Sequence, residues 1–94
     1  MLANYELQHQ RDALAEALKK AQDQQARRAT ERREAVAGAQ KQFGDDPANA
    51  QALKDALAAI ASRYQALDMV DADRVDDAQR GLAAWDKAHE QPSR

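Results

Sequence analysis

The chain has 94 residues, 14 basic and 16 acidic side chains, a formal net charge of −2, and 44% apolar residues, of which 23 are alanine and only 18 are large. So few bulky side chains exclude a thick multilayered core, and three glycines and two prolines are too few for a turn-rich β fold. With no cysteine there is no disulfide framework, thiolate metal site or thiol nucleophile, and the balanced charge lacks the basic excess of most nucleic-acid-binding domains.

The first predicted element is a helix over about residues 3–43. The stretch contains no proline, a single glycine at Gly38, and mostly strong helix formers. Leu7, Leu14, Leu18 and Ala21 hold one seam register. After Gln25, the residues Ala29, Val36 and Phe43 are expected to hold another at heptad spacing. Residues 22–34 have no large apolar side chain, so this zone is expected to be the weakest part of the arm. It carries the run Arg27-Arg28-Ala29-Thr30-Glu31-Arg32-Arg33. Four arginines can grip phosphates or an acidic protein surface. The plainer reading is a solvated face with internal pairs such as Arg27–Glu31.

The tip comes next, at Phe43, Gly44, Asp45, Asp46 and Pro47. Gly44 suits the left-handed position that closes a helix. Asp46 is a good N-cap, and Pro47 follows at the first helical position, where its missing N–H costs nothing. Asp45 adds negative charge beside the positive end of the next helix. Phe43 is expected to pack across the tip on Ala50 or Leu53.

The second predicted helix covers about residues 47–90, with Pro92 as its stop. Leu53, Leu57, Ile60, Tyr64 and Leu67 step by 4, 3, 4 and 3, a coiled-coil seam. The phase then slips. Asp71 takes the next position, and Val75, Ala78, Leu82 and Trp85 resume the pattern, as after a stutter. Two arms of equal length around a short turn give an all-α, elongated, antiparallel two-helix hairpin in a single domain of residues 1–94. The alternative is a break near 68–71, with Asp68 or Asp71 capping a third helix. With the turn centred at 45–46, Arg11 faces Arg80 and the pair Lys19/Lys20 faces the acidic stretch around Asp71.

Little chemistry can be assembled from these residues. The run Asp68, Asp71, Asp73, Asp76 and Asp77 lacks the turn glycine and terminal Glu of a calcium loop. His9 and His89 lie near opposite chain ends without a ligand set. No nucleophile–base pair or phosphate-cradling glycine loop is visible. The expectation is therefore no enzyme, no cofactor, no metal and no small-molecule substrate. No run approaches the ~18 apolar residues of a membrane span, and the N-terminus MLANYELQHQRD has no signal-peptide pattern. The expected location is the cytoplasm, or outside after export without a cleavable signal.

Two short resemblances concern the tip. Asp46-Pro47-Ala48-Asn49, followed by Leu53, Leu57, Ile60 and Tyr64, resembles the needle subunits of type III secretion, which implies a filament-forming hairpin. The chain departs from that family in lacking its polar C-terminal half with an apolar tail. Gly44-Asp45 and Asn49-Ala50 resemble the tip of transcript-cleavage factors that enter the polymerase secondary channel. Ala48 stands where those factors carry a second acidic residue, and their globular C-terminal domain is missing.

The function expected is protein–protein association, as a homo-oligomer or docked into a larger assembly: a secretion, phage or filament component, or a small assembly chaperone. Tyr5, Trp85 and the face of Arg27, Arg28, Arg32 and Arg33 are the expected partner contacts. The competing expectation is a regulator that binds RNA polymerase or nucleic acid through the acidic tip or the arginine cluster.

Overall fold

A computed structural model describes residues 4–90. Helix α1 spans Asn4–Phe43, a single 3-10 turn spans Pro47–Asn49, and helix α2 spans Ala50–Ala88. The two helices run antiparallel side by side as a rod of 71 × 20 × 17 Å, the expected hairpin. Among the described residues, no helix is long and apolar enough to cross a membrane.

The tip follows from its residues. Gly44 takes φ 58°, the left-handed region open to glycine. Its N–H donates to the Gln40 carbonyl at 2.8 Å and so satisfies one of the last carbonyls of α1. The Asp46 carboxylate accepts the Ala48 N–H at 2.9 Å, with Pro47 at the first helical position. The Asn49 amide then donates to the Phe43 carbonyl at 3.3 Å and ties the two arms together. Three residues form a 3-10 turn before α2 begins, so α2 starts at Ala50 rather than at Pro47.

That extra turn shifts the pairing of the arms. Arg11 meets Asp86 rather than Arg80, and Asp71 meets Arg28 rather than Lys19 or Lys20. Side chains on each helix also lean toward that helix's own N-terminus, so partners meet diagonally. At the far end, α2 stops at Ala88, and the His89 N–H donates to the Trp85 carbonyl. Pro92 lies outside the described residues.

The seam holds Leu7, Leu14, Leu18, Ala21, Val36 and Phe43 from α1 against Leu53, Leu57, Ile60, Leu67, Val75, Leu82 and Trp85 from α2, all half-buried. Only Ala39, Tyr64 and Asp71 are buried among the described residues, Asp71 most completely. Ala29 is exposed, contrary to the expected register. The heptad of Leu7, Leu14 and Ala21 continues unbroken through Arg28 to Ala35, all facing inward. The long Arg28 side chain reaches an acceptor on α2, which the Ala29 methyl group cannot do. The break near 68–71 does not occur. Asp68 and Asp71 are held by arginines across the seam, so neither turns back to cap a new helix, and α2 runs through.

Candidate functional site

Three parts of the rod carry side chains of interest: the waist, the open end and the outer face of α2. The waist lies where α1 lacks large apolar residues. There the Arg28 Nε–H donates to Asp71 at 3.2 Å, and its Nη1 reaches Glu31 at 3.3 Å. One turn nearer the tip, Arg32 donates to Asp68 at 3.2 Å. The Asp71 side chain is only 1% exposed. Its hydrogen bond is the main cause that holds the Arg28 guanidinium above its ordinary pKa. A buried carboxylate in a seam position is tolerable because a guanidinium meets it there.

This arrangement divides the arginine cluster. Arg28 and Arg32 face α2, while Arg27 donates to Gln24 and Arg33 to Thr30 on the exposed side of α1. The four are not one free basic face. Arg27 instead lines a side groove of about 770 Å³ with Lys20 and Arg74, opposite Asp77.

At the open end, Arg11 and Asp86 form a two-pronged ion pair at 2.8 and 3.1 Å. The hydrogen bond from Arg11 is the main cause that holds the Asp86 carboxyl below its ordinary value. Trp85 stacks on His89 with ring centroids 4.0 Å apart, and its indole N–H points at Gln10 at 3.4 Å. Tyr5 projects into solvent, 74% exposed. Trp85 is thus half-engaged within the chain, and Tyr5 is not.

At the tip, Asp45 and Asp46 are both exposed, and Asp46 is used as a cap. Among the described residues, no group of three His, Asp or Glu side chains is close enough to hold a metal ion.

The outer face of α2 is a feature that the heptad reading passes over. Met69 is 64% exposed and Val70 48%. Around them Ala58, Ala59, Ala61, Ser62, Ala66 and Ala72 also face solvent. The signal was present in the spacing after Leu67. Asp71 follows Leu67 at the regular seam interval of four, so Met69 and Val70 fall between seam positions. A shallow groove of about 390 Å³ runs beside Met69, between Arg32 and Ala61.

Compared with protein-family models, with curated proteins and with solved structures, the chain matches none.

Proposed function

We propose that the chain is a non-enzymatic interaction module, a helical hairpin that works by lying against other protein surface. The observation that carries this reading is the area left uncovered. The accessible surface is 7375 Å² for a mass of 10.4 kDa. A compact monomer of that mass exposes about 5,400 Å². The excess of roughly 2,000 Å² is comparable to the area that one or two standard protein interfaces cover. The radius of gyration, 21.1 Å, is likewise far above the about 12 Å of a compact chain of this length.

The competing reading, a regulator of polymerase or nucleic acid, has less to support it. Two of the four clustered arginines are neutralised within the chain, and one of the two tip carboxylates is a cap. Thermal unfolding across a range of chain concentrations, with and without candidate partners, tests the proposal. A hairpin built for association melts broadly when dilute and gains stability when its surface is covered. A sharp transition that neither concentration nor any partner moves would contradict it.

A further inference from the structure

We infer that the rod is two cooperative units joined by a polar waist: a tip half that stays zipped, and an open half whose arms splay apart as a unit when ion pairs across the seam are screened or broken. This division belongs to the chain alone, independent of what lies against its outer surface.

The apolar side chains are unevenly placed along the seam. The tip half sets Val36, Ala39 and Phe43 of α1 against Leu53, Leu57, Ile60, Tyr64 and Leu67 of α2. It holds both buried apolar side chains of the described residues, Ala39 and Tyr64. The open half has Leu7, Leu14 and Leu18 with Leu82 and Trp85, all only half-buried. Between Leu18 and Val36, about 27 Å of helix, α1 has no large apolar residue. The seam there is Ala21, Gln24, Arg28 and Ala35 against Asp68, Asp71, Val75 and Ala78, and Val75 is its one large apolar side chain. Stabilisation follows the apolar area removed from water, so it is strong at the tip and thin at the waist.

Charge is divided the opposite way. Three ion pairs cross the seam among the described residues: Arg28–Asp71 and Arg32–Asp68 at the waist, and Arg11–Asp86 in the open half. None crosses it in the tip half. The side chains of Arg11, Asp86, Arg32 and Asp68 are each over 40% exposed, so salt weakens those two pairs, whereas the buried Asp71 is screened less. Chain connectivity then sets the order. The tip half closes short loops around Gly44. The open half joins positions more than 60 apart in sequence, and its loop is short only while the tip and waist are zipped. A segment with few buried contacts opens below the stability of the whole. Splaying exposes Leu14, Leu18, Leu82 and Trp85 together while the tip keeps its fold.

Hydrogen exchange of the full chain, followed by peptide mass at one dilute concentration, tests this. Raising sodium chloride from about 0.1 to about 1 M shortens the screening length from about 10 to about 3 Å. Protection over residues 4–18 and 78–88 is expected to fall, while protection over 36–43 and 53–67 holds. Leu82→Ala should lower protection in the open half about tenfold or more and leave the tip half within about twofold. Arg28→Leu combined with Asp71→Leu makes the waist apolar and should bring the two halves into step. An open half that salt does not loosen, or halves that lose protection together in salt or in Leu82→Ala, overturns the division. A difference between the halves that survives in the Arg28→Leu, Asp71→Leu variant overturns the role of the waist.

Discussion

Asp71 is the most deeply enclosed side chain among the described residues, and it is ionisable. It sits where a leucine would continue the seam, and Arg28 occupies the matching heptad position on α1. Such a pair need not add net stability, since two apolar residues of similar size often do as well or better. Its value lies in specificity, because a one-turn slip of the arms leaves a carboxylate buried without its partner. Arg28→Leu alone is therefore expected to lower the melting temperature. Arg28→Leu with Asp71→Leu should restore it to the wild-type value or above while loosening the register, and paired melts of the two variants check this. If the double variant is no more stable than the single, the pair contributes more than pinning. Asp86 provides a pH readout. Its carboxyl lies below its ordinary value near 3.8 because Arg11 donates hydrogen bonds to it. A lowered pKa stabilises the fold above the unfolded value, and the contribution fades as pH falls through the lower, folded value. The gap in melting temperature between wild type and Arg11→Gln should be full at pH 5 and above and close below about pH 4. A gap independent of pH would refute the assignment. Both side chains are over 40% exposed, so added salt should also shrink it.

At the scale of elements, the hairpin was legible because its signals are local. Gly44, Asp46 and Pro47 each act within a few residues, and each takes its expected role. Gly44→Ala should cost about 1–2 kcal/mol, the penalty of a left-handed residue with a Cβ, since the added methyl group meets no atom within 4 Å. A chemical melt checks this, and an unchanged midpoint would mean that the tip relaxes to another turn. The pairing of the arms was not legible in the same way. Register depends on where α2 begins, and the 3-10 turn at Pro47–Asn49 moved that point by three residues. Arg28 was hidden for a related reason. An apolar pattern search reads a seam as leucines and alanines, so it passed over an arginine in phase and chose Ala29 beside it. Met69 and Val70 escaped the same search because it follows seam positions, and both fall between Leu67 and Asp71.

At the scale of the molecule, two helices alone cover little of one another. Tyr64 and Ala39 are the only apolar side chains buried among the described residues, and burial at about 25 cal/mol per Å² must offset the ordering of every residue in the rod. Small folds that succeed on so little core commonly gain it from oligomerisation or another staple. The alanine content has a physical meaning: it lets α1 and α2 approach closely, and it leaves the outer face of α2 finely ridged toward solvent. The most direct measurement is the thermal melt of the full chain followed by helicity from low to high micromolar concentration. Association predicts a broad, low transition when dilute that sharpens and moves upward as concentration rises. A single sharp transition at a fixed temperature across that range, unmoved by any added protein, would contradict the account.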